Sequence, residues 1–187
     1  MPRPNVTQPV SLKDYFEKGM SWEAWLKSAE DAEQAKRMNE NAGKVDVPAT
    51  TQTFLKSLKR PVHVLAIAED WCGDVVHNAP VMARLGSVAP DQLKVKWMHR
   101  VPEVIVRYLT NGAEAIPKFV FLTDTFVEIG NWGPRPEACK QAMARAKALG
   151  NTKLAYDFIG SYYEKDKHQT TIKELCALAE IAVAEKV

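Results

Sequence analysis

The sequence predicts an α/β protein, with a mixed four-stranded sheet flanked by helices. Three observations carry that prediction. Val62–Ala68 is a short apolar β-rich run, Leu93–Met98 alternates with Lys94 and Lys96, and Val75–Leu85 between them has helical spacing. A strand, helix and strand in that order require a parallel pair joined by a right-handed crossover. Lys118–Leu122 and Phe126–Trp132 are two more strand-like runs, separated by Thr123-Asp124-Thr125, a hairpin-like connection. Helical patterns before, between and after the strands supply the layers that would cover such a sheet.

Each element has a local reason. Ser11 caps a short helix through Tyr15 and Phe16, and Gly19 breaks it. Ser21 opens a longer helical run to about Asn41, with Trp22, Trp25, Leu26 and Ala29 on one face, and Ala42-Gly43 stops it. Lys44–Ala49, with Pro48, reads as a linker. Thr50–Lys59 is the next helix, with Phe54, Leu55 and Leu58 apolar, and Arg60-Pro61 ends it. The helix from Val75 aligns Val76, Ala79, Met82 and Ala83 and carries Pro80, where a kink is expected. Pro102–Leu109 reads as a helix ended by Asn111-Gly112. Pro134-Arg135-Pro136 starts another, running to about Leu149 and closed by Gly150-Asn151. Leu154, Phe158 and Tyr162 form an i, i+4, i+8 stripe in a further helix, and Tyr156, Phe158, Tyr162 and Tyr163 read as packing aromatics. Thr171-Ile172-Lys173-Glu174 is a capping-box pattern for the last helix, whose apolar face is Ile172, Leu175, Cys176, Ala179 and Val183.

Composition narrows the function. The chain has 187 residues, enough for one domain with extensions. Its 25 basic and 23 acidic residues leave a net charge of +2, without the basic excess of a nucleic-acid binder. The longest apolar runs, such as Phe119–Leu122, fall far short of the roughly 18 residues of a membrane span. Met1–Val10 is polar, with Pro2, Pro4 and Pro9, and is not expected to act as a secretory signal. Three cysteines, Cys72, Cys139 and Cys176, are an odd number for a secreted disulfide framework. They form no C-x-x-C pair, and the four histidines have no metal spacing, so no metal site is expected. These features predict a reduced, cytoplasmic protein with at least one thiol to explain.

Cys72 is the thiol of interest. It follows a predicted buried strand within Glu69-Asp70-Trp71-Cys72-Gly73-Asp74 and precedes a predicted helix. Unpaired N–H groups and the partial positive charge of a helix N-terminus favour the thiolate, the nucleophilic form. Asp74 and Glu69-Asp70 oppose it, because nearby negative charge disfavours ionisation. The alternative is a small buried thiol with no chemistry.

Trp71-Cys72-Gly73-Asp74 after this strand resembles the active-site turn of the thioredoxin superfamily. Ile116-Pro117, directly before the strand Lys118–Leu122, resembles that superfamily's cis-proline loop, and the resemblance alone implies that the bond is cis. Gly130-Asn131-Trp132-Gly133-Pro134-Arg135-Pro136 is similar to a segment of a bacterial thioredoxin-like subgroup with W-C-G-D-C and W-G-P-R-P motifs. The resemblance implies a thioredoxin-like core over 50–150, a helical extension over 1–49 packed on it, and C-terminal helices over 151–187 in the same domain. It implies Cys72 as the catalytic thiol. It also implies Trp71, Gly73, Asp74, Ile116 and Pro117 as the substrate-binding residues.

Two departures limit the analogy. Val75 occupies the position of the superfamily's resolving cysteine, and Ala66 that of its buried acid. A dithiol enzyme attacks with one thiolate and releases the mixed disulfide with the other. Cys72 without a partner leaves three routes: glutathione or another external thiol resolves the adduct, Cys139 or Cys176 approaches, or the redox cycle is lost. In the last case the groove beside Ile116-Pro117 would bind an extended peptide. The expected function is therefore monothiol thiol–disulfide chemistry on protein or small-thiol substrates, with no bound cofactor. A redox-inactive partner-binding protein and a thiol redox sensor are the alternatives.

The remaining residues read more plainly. His77, about 140° around the helix from Cys72, is a surface or groove residue. His99 and Arg100 form a solvated strand end or flank the groove, while His63 and His168 are structural. Trp22 and Trp25 pack the N-terminal helix, Trp97 lies in the sheet and Trp71 stands at the surface. Trp132 precedes the Gly-Pro-Arg-Pro turn. Arg135 fixes that turn through backbone carbonyls or sits at the groove rim. Cys176 is an inert core thiol, and Cys139, in the first turn of its helix, is partly exposed.

Overall fold

The computed structural model describes residues 10–184, so the reading of Met1–Val10 as a non-signal segment falls almost wholly outside the described residues. Four strands form one sheet in the order β2-β1-β3-β4. They are β1 (Val62–Ile67), β2 (Leu93–Met98), β3 (Lys118–Leu122) and β4 (Glu128–Trp132). β1 runs parallel to β2, with Val62 opposite Leu93, and antiparallel to β3, with Leu65 opposite Val120. β3 and β4 are antiparallel, with Phe119 opposite Trp132. Every residue of the two central strands is buried, which is why both read as largely apolar runs, with His63 and Lys118 the exceptions. The architecture is the mixed four-stranded, helix-flanked sheet predicted from sequence.

β4 begins two residues later than the sequence suggests. Phe126 adopts a left-handed φ of 64° in the turn, and its ring stacks on His63 at 4.3 Å. The Thr123 hydroxyl accepts the Val127 N–H at 3.1 Å and closes the connection. Phe126 is thus drawn across the sheet towards α1 (Leu12–Lys18), where Phe16 meets it at 5.5 Å.

The helical run from Ser21 is interrupted. It forms α2 (Trp22–Lys27) and α3 (Ala32–Lys44), because the Ser28 hydroxyl donates to the Trp25 carbonyl at 2.7 Å and Asp31 starts a new cap. The Asp31 carboxylate accepts from Glu33 and Gln34, while its own N–H donates to Asp70 at 2.8 Å. Periodicity carries no signal for such a break when good helix formers lie on both sides. Trp22 and Trp97 each stack on Trp25 and meet each other at a tilt, joining α2 to β2.

α4 (Ala49–Lys56) stops three residues early, where the Ser57 hydroxyl turns back onto Phe54. α5 (Gly73–Val88) runs through Pro80 and packs beside α3 and α4. α6 (Pro102–Ile105) is one turn, shorter than the predicted Pro102–Leu109, since the chain enters a tight turn closed by Thr110 and Ala113. α7 (Glu137–Ala148) follows Pro136 and pairs with α8 (Thr152–Asp166).

α8 overturns the aromatic reading in part. Its buried residues are Ala155, Ile159 and Tyr163, whereas Leu154, Tyr156 and Phe158 are exposed. α8 turns toward α7 the stripe one residue on from the one that looked most apolar. α9 (Gln169–Val183) also differs at its start. Thr171 is already inside the helix and buried, and Asp166 supplies the cap by accepting from the Thr170 N–H and hydroxyl. Glu174 accepts from Trp132 Nε1 instead of closing a capping box. The predicted face of α9 does turn inward, through Ile172, Leu175 and Ala179, against β4, β3 and α5.

The buried apolar residues form one large cluster around the sheet and a small separate one, Cys139, Met143, Ala146, Ala155, Ile159 and Tyr163, between α7 and α8. Among the described residues no helix is long and apolar enough to cross a membrane.

Candidate functional site

β1 delivers the chain to the C-terminal edge of the sheet, and residues 68–72 turn it into α5. Cys72 is the N-cap of that helix, and its carbonyl accepts the Val76 N–H at 3.0 Å. The half-buried Sγ lies 3.5 Å from the Ile116 carbonyl oxygen. The Ile116–Pro117 bond is cis, as the resemblance implied. Cys72, Ile116 and Pro117 are thus brought together across a sequence gap of more than forty residues. Trp71 is 53% exposed beside them, with the Arg100 guanidinium 5.7 Å from its ring centroid. Gly73 opens α5 with free space where a side chain would stand.

A second loop completes the site, and the sequence reading missed how tightly it is held. Gly133–Pro134 is also cis. Gly133 has φ of 123°, and a Cβ there would lie 2.0 Å from the Pro117 carbonyl oxygen. The two proline loops therefore touch backbone to backbone, an approach only glycine permits. Lys118, 3% exposed, ties the same loops together: Nζ donates to the Thr110 hydroxyl at 2.7 Å and the Gly133 carbonyl at 3.0 Å. The signal was present in Trp132-Gly133-Pro134, but without Pro117 opposite it no local rule specifies the contact.

Arg135 does not fix its turn through backbone carbonyls. Its Nε pairs with Asp74 Oδ1 at 2.5 Å, linking the α7 loop to the first turn of α5. Beneath them Asn78 is fully buried, donating to Tyr163 Oη at 2.8 Å and to the Asp74 and Pro134 carbonyls. Its Oδ1 accepts the Thr171 hydroxyl at 3.3 Å. Asn78 so joins α5, the proline loop, α8 and α9 through one amide.

The acids around Cys72 are less threatening than their proximity in sequence suggests. Glu69 accepts from His99 Nδ1 at 2.8 Å and from the Arg100 N–H. Buried Asp70 accepts the Asp31 N–H of the α3 cap. Burial nonetheless decides the thiol: it pushes the Cys72 pKa up, and Asp74 adds to the rise. The Val75 and Asp74 N–H groups and Arg135 pull it down without reversing it. The S–H contact to the Ile116 carbonyl favours the same neutral form. Desolvation therefore outweighs the helix N-terminus, a balance that the sequence left open.

The other thiols offer Cys72 no obvious partner. Cys139 is fully buried between α7 and α8, not partly exposed, because α8 covers the first turn of α7. Burial raises the Cys139 and Cys176 thiols to about 11. Val75 is fully buried, as is Ala66. His77 stacks on Tyr163 at 4.6 Å, and no hydrogen bond links it to Cys72. Among the described residues no group of three His, Cys, Asp or Glu side chains could hold a metal ion.

A family model described as thioredoxin matches residues 19–148, more than half of the chain. The chain belongs to the thioredoxin family. Two crystal structures are similar to it over most of its length. A protein of unknown function from Pseudomonas aeruginosa is 20% identical, with TM-score 0.69, covering 93% of this chain and 99% of its own. An HIV epitope-scaffold is 19% identical, with TM-score 0.71, covering 92% of this chain and 99% of its own. At these identities the likeness is one of fold. No curated protein is significantly similar to the chain.

Proposed function

We propose that this thioredoxin-family protein performs single-thiol exchange: the Cys72 thiolate attacks a disulfide presented along the Ile116–Pro117 edge. The observation that carries the reading is the Cys72 Sγ at 3.5 Å from the Ile116 carbonyl, beside a cis-proline and at the head of α5. Attack forms a Cys72–S–S–R bond and expels R′S⁻, which takes a proton from water. With Val75 where a resolving cysteine would stand, an external thiol of the glutathione class attacks the adduct. Attack at the substrate sulfur returns the Cys72 thiolate and carries RS away in a new disulfide. Gly73 leaves room for the incoming sulfur, and exposed Trp71 offers apolar contact to the chain that carries it. Asp74, paired with Arg135, holds the first turn of α5.

The W-C-G-D turn and the Gly133–Pro136 segment support membership of the bacterial subgroup that carries both motifs. Three thiols free of disulfides suit a reducing compartment such as the cytoplasm.

Intact-mass analysis after exposure to oxidised glutathione at pH 8 tests the reading. One adduct on Cys72, removed by reduced glutathione, is expected. Modification of Cys139 or Cys176 ahead of Cys72, or no adduct at all, would end it.

A second reading is favoured by the raised Cys72 pKa: the groove binds an extended peptide without covalent chemistry. Peptide binding that survives Cys72→Ser, together with no adduct, would select it.

A further inference from the structure

A cavity of about 410 Å³ lies beside α5, lined by neither Cys72 nor Ile116. That volume is within the roughly 300–1,000 Å³ of small-molecule sites. Val45, Val76 and Pro80 form apolar wall, and His77 stacked on Tyr163 adds an aromatic one. Basic side chains arrive from three elements: Lys44 from the end of α3, the His77 imidazole from α5, and Lys167 with the His168 imidazole from the α8–α9 junction. Asp46 is the one carboxylate in this lining.

Two features set these basic groups apart. Among the described residues neither Lys44 nor Lys167 has an ion-pair partner, although Lys140 of α7 and Lys153 of α8 do. Lys167 and His168 are consecutive left-handed residues, with φ of 48° and 63°. Non-glycine residues in that region are uncommon, and two in succession are a local expense that the chain sustains where it turns both side chains to the cavity. His168 Nδ1 is enclosed without a hydrogen-bond partner. Burial holds both imidazoles below the ordinary histidine range, and each would regain charge beside an anion.

We propose that this cavity binds a small organic oxyanion. Its charged head would lie among Lys44, Lys167 and His168, and its apolar or aromatic body against Val76, Pro80 and His77. The site is independent of thiol exchange. Its lining does not include Cys72, whose position continues the row through Val76 and Pro80 at intervals of four.

The full chain carrying Cys72→Ser, so that thiol chemistry plays no part, is titrated with phenyl phosphate, benzoate and benzyl alcohol. Calorimetry and the imidazole proton resonances of His77 and His168 provide the readouts. Saturable binding of at least one anion, with both histidines shifted, is expected, and the tighter anion identifies the head group as phosphate or carboxylate. The variant Lys44→Gln/Lys167→Asn changes two exposed side chains, and asparagine tolerates the left-handed backbone. It should weaken binding by about tenfold or more. No binding at millimolar anion, equal binding of benzyl alcohol, or a loss below about twofold in the double variant would overturn the proposal.

Discussion

The region beneath the site and the region between α7 and α8 are both apolar, yet they are built differently. β1 and β3 are covered on both faces, and all their residues are buried. α7 and α8 bury a narrow seam of six residues and leave Leu154, Tyr156 and Phe158 in solvent. The two regions meet at Asn78, whose amide binds Tyr163 from the small cluster and Pro134 from the site. The difference teaches that a residue's apolarity becomes structural only where a second layer covers it. Cys72 stands on the covered region, so its loops are held from several directions at once.

That contrast can be broken most severely at Gly133. Gly133→Ala should destabilise by about 4 kcal/mol or more, since its Cβ would meet the Pro117 carbonyl and its φ disfavours any side chain. Chemical denaturation gives the loss, and Cys72 adduct formation should fall with it; an unchanged midpoint would mean the loops do not touch. Phe119→Ala comes next, at about 3–5 kcal/mol, against about 2 for Ile159→Ala in the smaller seam. Equal losses measured by urea unfolding would erase the distinction between the regions.

Lys118 sharpens the comparison through pH. Burial lowers its pKa from 10.5 to about 8, with Lys140 adding to the effect. The unfolded chain therefore holds this proton between about 8 and 10.5 while the folded chain does not, so Lys118 makes stability rise with pH in that window. The increment approaches about 3 kcal/mol at its upper end. Cys139 and Cys176, raised to about 11, act oppositely, since the unfolded thiols ionise first. The test is thus the wild-type stability minus that of Lys118→Met, a difference that should become more positive as pH rises from 8 to 10. A difference independent of pH would show that Lys118 titrates normally. The smallest effect belongs to the exposed stripe: Leu154→Ser should change stability by less than about 0.5 kcal/mol, and a larger thermal shift would reveal packing on that face.

The sheet was legible because strand and helix periodicities are local. β2 and β3 begin and end where alternation and the apolar run say they should. The pairing of Trp71-Cys72 with Ile116-Pro117 was legible only through resemblance, since nothing in either segment names the other. The break at Ser28, the α8 face and the Arg135–Asp74 pair were not legible, because each depends on a partner far along the chain. Asp70 draws Asp31, α7 selects Ile159 over Phe158, and Asp74 takes the guanidinium assigned to backbone carbonyls.

By itself the sequence determined the order of elements, the buried central strands and the absence of a second cysteine at Val75. Those follow from short-range periodicity and residue identity. Only the tertiary structure decided that burial outweighs the helix N-terminus at Cys72 and that two proline loops touch at Gly133. It also decided that the α8 stripe faces water. Each depends on what lies within a few ångströms in space, where desolvation and steric contact act without regard to distance along the chain.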